Sequence, residues 1–208
     1  MSGLHVKENN TAIQIASLVD LQSNAVIKWH SEPIVNDARS FEALVLANHE
    51  INFRLWHEED QARDPSASDN VIAQVKRRID RLNQQRADAI EQLDNAIADA
   101  IAEQPLTVDA SLPMNTETPG SAIDRLSILA LRIFHLAEQC QRLEIDDAAR
   151  NRVTVSLRIA EQQRANIANS LQILIDDLFS GRKRHQTFRQ LKMYNDPELN
   201  PVIYSNRT

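Results

Sequence analysis

The chain has 208 residues, 42% of them hydrophobic, and a formal net charge of -6 at pH 7. The negative charge disfavours nucleic acid as a partner, because phosphate polymers attract basic surfaces. Its single cysteine excludes an internal disulfide and a multi-cysteine metal site, and it fits a reducing compartment. The sequence has no signal-peptide pattern and no run of roughly 18 apolar residues, so we expect a cytoplasmic protein without a membrane span.

Helices are predicted along the whole chain, because it has only three glycines, 4% aromatic residues and many good helix formers. A first helix covers about residues 10–29. A second and a third helix form a hairpin over residues 37–103. The third helix starts near Ala67, where Ser66 and Asp69 have the spacing of a capping box.

A linker over residues 104–117 leads to a second predicted hairpin over residues 118–180. Thr118, followed by a proline, is a good cap for the first helix of this hairpin, and Asp146 can cap the second. A basic segment follows over residues 181–208. Its cations either satisfy the end of the last helix or contact phosphate or acidic lipid.

The two hairpins carry one repeated pattern. Shifting the sequence by 78 positions places residues 53–97 over residues 131–175 without a gap, and Arg86 then coincides with Arg164. Each arginine takes one turn of an otherwise apolar stripe. We therefore predict a single all-α domain over residues 1–208, in which two antiparallel hairpins related by a pseudo-two-fold axis pack with an N-terminal helix. The alternative is that two amphipathic hairpins look alike without duplication.

A polar layer is expected inside this bundle. Counting from the turns, Arg86 comes level with Asn48 and His49, and Arg164 comes level with Asp124. If both turns lie at the same end of the bundle, these residues share one layer. A guanidinium removed from water needs acceptors around it. The layer is thus either a ligand-binding site for an anion or a salt-bridge network that fixes the register of the helices.

Acidic residues of the first hairpin stand where the second hairpin is apolar. Glu58 and Glu59 align with Leu136 and Ala137, and His57 and Asp60 flank them. His57, Glu58 and Glu59 are therefore candidate acid-base catalysts, and Asp60 is a candidate ligand-binding residue. The alternative is a solvated helix end.

No metal site and no cofactor are expected. His57 with Asp60 and His135 with Glu138 have an i, i+3 spacing, but their order is the reverse of that in di-iron bundles, and a second pair of inward glutamates is lacking.

Several segments resemble a bacterial family of uncharacterised proteins, the domain of unknown function 4254. The segments are LWHEED at 55–60, AR at 62–63, ID at 79–80, NQ at 83–84, Arg86, ETPG at 117–120, IDRLSIL at 123–129 and KMYNDP at 192–197. Together they cover most of the chain from about Asn48 onward. The family has no established activity. The resemblance implies a cytoplasmic companion of cell-surface glycan and glycosyltransferase gene clusters.

Three functions remain open from the sequence. The preferred one is a ligand-binding or accessory protein whose polar layer recognises an anionic small molecule, such as a phosphate or sugar phosphate, in glycan assembly. The second is an enzyme in which His57, Glu58 or Glu59 moves a proton and the arginines stabilise negative charge. The third is a scaffold that forms a homodimer through an exposed apolar helix face.

Overall fold

The computed structural model of the chain describes residues 13–35, 40–189, 191 and 198–205. Its helices are α1 (Ile15–Trp29), α2 (Phe41–Ala62), α3 (Asp69–Ala102), α4 (Pro119–Gln141), α5 (Asp147–Phe179) and the short α6 (Pro201–Tyr204). No β-strand occurs in these described residues, so the predicted all-α class is confirmed. Lys192 and the rest of the KMYNDP segment lie outside them.

The helix boundaries in the second hairpin follow its capping residues. Thr118 Oγ1 accepts a hydrogen bond from the backbone N–H of Ser121 at 3.2 Å, and Pro119 is the first residue of α4. Asp146 Oδ1 accepts from the N–H of Ala149 at 2.6 Å, at the start of α5. Both predicted caps are confirmed, because each side chain satisfies an N–H that has no partner within the helix.

Helix α3 starts at Asp69, two residues after the predicted position near Ala67, and the predicted capping box is wrong. Ser68, which makes no side-chain capping bond, is the N-cap of α3. The backbone N–H and the hydroxyl of Ser66 both donate to Asp64 Oδ1, at 2.8 and 2.7 Å. Ser66 thus completes a local turn with the preceding aspartate instead of a capping box with Asp69, a competition that is common for serine and aspartate. The predicted starts of α1 and α2, near residues 10 and 37, lie outside the described residues.

Helix α4 lies at the centre of the bundle and contacts α1, α2, α3 and α5. The closest packing joins α2 with α3 and α4 with α5, as expected for two hairpins. Helix α1 packs on α2, α4 and α5. The largest apolar cluster draws buried residues from all five long helices: Ile15, Val45, Leu93, Ile123 and Ile175 are examples, each at most 1% exposed.

Helices α2 and α4 run parallel, with residues 78 positions apart facing each other. His49 bonds to Ser127, Phe53 and Leu131 belong to one apolar cluster, and the ring centroids of His57 and His135 are 5.9 Å apart. These contacts follow one another along both helices in the same order, so the two turns lie at the same end of the bundle. The contacts are those a pseudo-two-fold axis would create. Internal duplication of the chain stays a prediction.

Helix α1 has no counterpart in the repeated pattern, and its position makes the two hairpins unequal. Helix α3 packs against α4 of the other hairpin, whereas α5 packs against α1. The side chain of Gln22 donates to the carbonyl oxygen of Ile123 at 3.3 Å, and the N–H of Ile15 donates to Gln172 Oε1 at 2.9 Å. Helix α1 therefore lies in the groove that α2, α4 and α5 form.

Candidate functional site

The buried carboxylate of Asp124 on α4 is the centre of the polar layer. Its side chain is only 4% exposed, and Arg86 on α3 binds it through two atoms, Nε to Oδ1 at 2.9 Å and Nη2 to Oδ2 at 2.5 Å. Asn48 and Asn52 on α2 donate to Oδ1 at 3.0 and 2.9 Å. The hydrogen bonds that Arg86 donates to Asp124 raise the pKa of Arg86. This ion pair fixes the orientation of the guanidinium.

His49 continues the layer toward α1. Its Nδ1 is 2.7 Å from Ser127 Oγ, which also accepts from Asn52 Nδ2 at 3.0 Å. The imidazole lies 5.1 Å from the Trp29 ring. Burial lowers the pKa of His49 to about 4, so the ring is neutral at physiological pH. His49 is thus a neutral part of the layer and adds no charge to it.

Arg164 does not join Asp124. Its Nη1 donates to Ser23 Oγ on α1 at 2.9 Å. Ser23 follows Gln22, whose side chain reaches the backbone of Ile123, so the predicted height of Arg164 is close to that of Asp124. The predicted direction of its side chain is wrong, because Arg164 bonds to α1, whereas Asp124 bonds to residues of α2 and α3. The polar layer therefore contains four of the residues expected from the sequence, Asn48, His49, Arg86 and Asp124. Arg164 is not part of it.

Asn52 is a member of the layer that the sequence analysis missed. It lies one helical turn after Asn48 on α2 and bonds to both Asp124 and Ser127. The spacing of four between two polar residues on an otherwise apolar face is the signal that could have revealed it.

The acidic candidates of α2 have separate partners. Both oxygens of Glu58 accept from Arg78 Nε on α3, at 2.7 and 2.8 Å. Arg63 lies 3.1 Å from Glu59 and 3.8 Å from Asp60. His57 Nδ1 bonds to the carbonyl oxygen of Phe53 at 2.8 Å. The structure therefore does not gather His57, Glu58 and Glu59 around one point.

A cleft of about 500 Å³ opens between α2, α3 and α4, directly above the polar layer. Asn52 and Arg86 form its inner side, and Trp56 lies on its apolar wall. Glu59, Asp60, Arg63 and Asn83 also line it, and so does Arg132 of α4. Arg86, Asp60 and Glu59 are thus the predicted site residues that this cleft brings together.

Arg132 differs from the other arginines of the cleft. Among the described residues it forms no hydrogen bond or ion pair, whereas its counterpart Arg54 pairs with Glu50 one turn earlier at 2.7 Å. The residue one turn before Arg132 is Ile128, which cannot accept a hydrogen bond. Arg132 also lines two neighbouring clefts against α5, of about 400 and 550 Å³. A charged side chain without a partner therefore stands where three clefts meet.

The first residues of the basic segment, 182–185, bond mainly to other parts of the protein. Arg182 and Lys183 pair with Asp177 at 2.7 and 3.3 Å. Arg184 donates to the carbonyl oxygen of Leu112 at 3.2 Å, and His185 Nε2 lies 3.1 Å from the carbonyl oxygen of Asp94. Arg184 and His185 thus contact the linker and α3.

Comparison with known proteins gives one match. No curated protein and no solved structure matches the chain. None of the described helices is both long and apolar enough to span a membrane. The profile of a family described as "Protein of unknown function (DUF4254)" matches residues 42–187, which include the whole polar layer and the cleft. The chain therefore belongs to the DUF4254 family.

Proposed function

We propose that the protein binds a small anionic ligand, such as a phosphate or a sugar phosphate, in the cleft between α2, α3 and α4. The observation that carries the proposal is Arg132, a guanidinium without a partner among the described residues at the mouth of a cleft of about 500 Å³. A guanidinium presents its N–H groups as a planar fork that matches two oxygens of a phosphate or carboxylate.

Arg86 supplies a second, oriented donor group. Asp124 holds its Nε and Nη2, and the side chain keeps 30% of its surface exposed. Its Nη1 has no hydrogen-bond partner in the part of the chain that the structure describes. Because the ion pair already fixes this side chain, little rotamer entropy is lost when a ligand binds. Asn48, Asn52 and His49 support the pair from behind.

The composition of the cleft favours a ligand that is only partly charged. Trp56, Leu55 and Leu131 give it an apolar wall, while Glu59 and Asp60 provide acceptors for hydroxyl groups. A sugar phosphate combines an anionic group with hydroxyls and an apolar ring face. A place in cell-surface glycan assembly is the biological context we propose, on the family resemblance alone.

Binding is favoured over catalysis by the placement of the acidic candidates. Glu58 is neutralised by Arg78, and His57 lies in a separate cluster of aromatic rings. The scaffold alternative has less support, because a purely structural role does not explain why Arg132 lines the cleft without a partner among the described residues.

The test is a thermal-shift screen of phosphorylated sugars and nucleotide sugars. At a concentration of about 100 times Kd, a ligand adds roughly 2.7 kcal/mol to the free energy of unfolding, which raises Tm by about 5–10 °C for a chain of this length. We expect Arg132→Ala to remove the shift. The control is Arg152→Ala, which changes an exposed arginine of α5 outside the cleft and should keep the shift.

The proposal fails if no phosphorylated compound stabilises the wild type. It also fails if Arg132→Ala and Arg152→Ala respond to the ligand equally, since binding would then not depend on the cleft.

A further inference from the structure

Three histidines from three helices converge at the end of the bundle where α1 stops. His30 follows the last residue of α1, His57 lies on α2, and His135 lies on α4. One ring nitrogen from each histidine lies within 4.8 Å of the others. The ring centroids of His30 are 5.4 and 5.2 Å from those of His57 and His135. The cluster is distinct from the polar layer around Asp124.

The hydrogen bonds of these rings determine which nitrogen is available. His30 Nδ1 bonds to the carbonyl oxygen of Val26 at 2.7 Å, and His57 Nδ1 bonds to that of Phe53 at 2.8 Å. A carbonyl oxygen can only accept, so each Nδ1 carries the proton, and each neutral ring then has a lone pair on Nε2.

His135 is held in the same tautomer by a carboxylate. Its Nδ1 lies 2.9 Å from Glu138 Oε2, and its Nε2 is buried without a hydrogen-bond partner among the described residues. An acceptor that is buried and unpaired is unfavourable unless something else binds it. A histidine whose outer nitrogen donates to a carboxylate is the usual arrangement of a metal ligand.

We propose that His30, His57 and His135 bind a divalent transition-metal ion, best fitted by Zn²⁺, through their Nε2 atoms. Imidazole nitrogens are preferred ligands of this ion, and three of them leave one position of a tetrahedral site for water or another ligand. Ligand nitrogens about 2.0–2.1 Å from a tetrahedral ion lie roughly 3.3 Å apart, so small side-chain rotations from the present separation complete the site. Glu138 is a positioning residue for His135.

Ring packing alone explains less of this geometry. His30 stacks on Phe134 with centroids 4.2 Å apart, and Trp56 stacks on His135 at 4.9 Å. These contacts account for the positions of the rings. They do not account for ring nitrogens of three histidines within 4.8 Å of one another, a separation that a shared cation would explain. The prediction of no metal site rests on pairs of side chains within single helices, so it does not cover a site that three helices share.

The test measures Zn²⁺ binding by full-length protein freed of any histidine tag, using equilibrium dialysis against ZnCl₂ and elemental analysis. We expect one bound ion per chain, and an intense visible absorption when Co²⁺ replaces Zn²⁺ because tetrahedral Co²⁺ absorbs strongly. Ligand removal by His30→Gln or His57→Ala should weaken binding at least 100-fold. Glu138→Gln should weaken it about 10–100-fold and alter the Co²⁺ spectrum.

His185→Ala is the matched control, because His185 lies against Asp94 and outside the cluster. Arg132→Ala should bind Zn²⁺ as the wild type does, which separates this proposal from the anion-binding proposal. His30 is exposed, so His30→Gln should keep the helical circular dichroism of the wild type even if His57→Ala does not fold. A wild type that retains no Zn²⁺, or a folded His30→Gln that binds it unchanged, would overturn the proposal.

Discussion

The negative charge of Asp124 is stable inside the bundle because four donor contacts surround it. Two come from Arg86, one from Asn48 and one from Asn52. Removing a carboxylate from water costs several kcal/mol unless an opposite charge and further hydrogen bonds replace the lost solvation. The neutral amides of α2 satisfy the carboxylate without adding a second positive charge, which leaves Arg86 as its only counterion among the described residues.

His49, at the same level of the bundle, makes the stability of the protein depend on pH. Its pKa is about 4 in the folded protein and about 6.5 in the unfolded chain. Between these values the unfolded chain binds one more proton than the folded protein. The contribution of His49 to stability is therefore complete above about pH 6.5 and is lost as pH falls toward 4.

As the pH falls from 6.5 to 4, the titration of His49 should lower the free energy of unfolding by roughly 3 kcal/mol. Urea unfolding at about pH 7, 5.5 and 4.5 measures this slope. The same series on His49→Asn, which keeps a polar group near Ser127, removes the titration. The difference between the two slopes isolates His49 from other groups, such as Asp94. Equal slopes in both proteins would show that His49 does not titrate with folding.

The sequence could predict part of the site at the scale of residues. Counting levels in the hairpins placed Asn48, His49, Arg86 and Asp124 together, because helices rise by a fixed distance per residue. It could not predict Arg132 as the arginine without a partner in the cleft, since its exposure depends on the gap that α3 and α5 leave beside α4. The conformation of a side chain on an open surface is set by neighbours that are distant in sequence.

At the scale of elements, Gly120 sets how closely α3 and α4 approach. A methyl group at Gly120 would lie 2.7 Å from the carbonyl oxygen of Ile90 and 2.8 Å from two atoms of Asp94. The N–H of Gly120 donates to Asp94 Oδ1 at 2.7 Å, so a carboxylate of α3 caps the first turn of α4. Burial raises the pKa of Asp94, and its hydrogen bonds with Thr118 and Gly120 partly offset this effect.

We expect Gly120→Ala to destabilise the protein by about 2 kcal/mol. Overpacking costs typically 1–3 kcal/mol, and the better helix propensity of alanine offsets at most about 1 kcal/mol. Urea unfolding of the wild type and the variant measures the loss. The control is Asn169→Ala on the exposed side of α5, which should change stability by less than about 0.5 kcal/mol. If Gly120→Ala is as stable as this control, the helices can separate without cost.

The helix boundaries could largely be predicted from capping residues in the sequence. Thr118 and Asp146 mark helix starts because a short polar side chain can bond to the N–H groups two or three residues on. Ser66 shows the limit of the same rule. Asp64 offers an acceptor two residues earlier, and the local turn wins over the capping box.

At the scale of the whole molecule, the five long helices share their apolar surfaces. The main cluster contains Ile15 and Leu18 from α1, Leu93 from α3, Ile123 from α4 and Leu178 from α5. A core to which all five long helices contribute should unfold in one step, because none of them can leave without exposing apolar surface of its neighbours.

We expect one cooperative unfolding transition for the whole chain, in line with the predicted single domain. Trp29 on α1 and Trp56 on α2 are the only tryptophans, so the fluorescence of a Trp56→Phe variant reports on α1 alone. Its urea midpoint should coincide with that of far-UV circular dichroism of the same variant. An earlier fluorescence transition would mean that α1 detaches before the hairpins unfold.

The sequence could predict the two hairpins but not the place of α1 between them. The repeat covers residues 53–97 and 131–175, so it relates the hairpins to each other and carries no information about a helix outside it. The count of helix levels therefore places Arg164 beside Asp124, although the partner of Arg164 is Ser23 on α1. An element that packs into a groove between two repeats can be located only from the three-dimensional structure.

The position of α1 has a practical consequence for work on recombinant fragments. The family match begins at residue 42, after α1, yet Val26 and Trp29 of α1 are buried at 0% and 9% exposure against Phe53 and Leu131. A protein trimmed to the matched boundaries would carry a bare apolar trough along α2 and α4, and such surfaces promote aggregation. Cloning limits for this chain should therefore include residues 13–30, even though no family signature marks them.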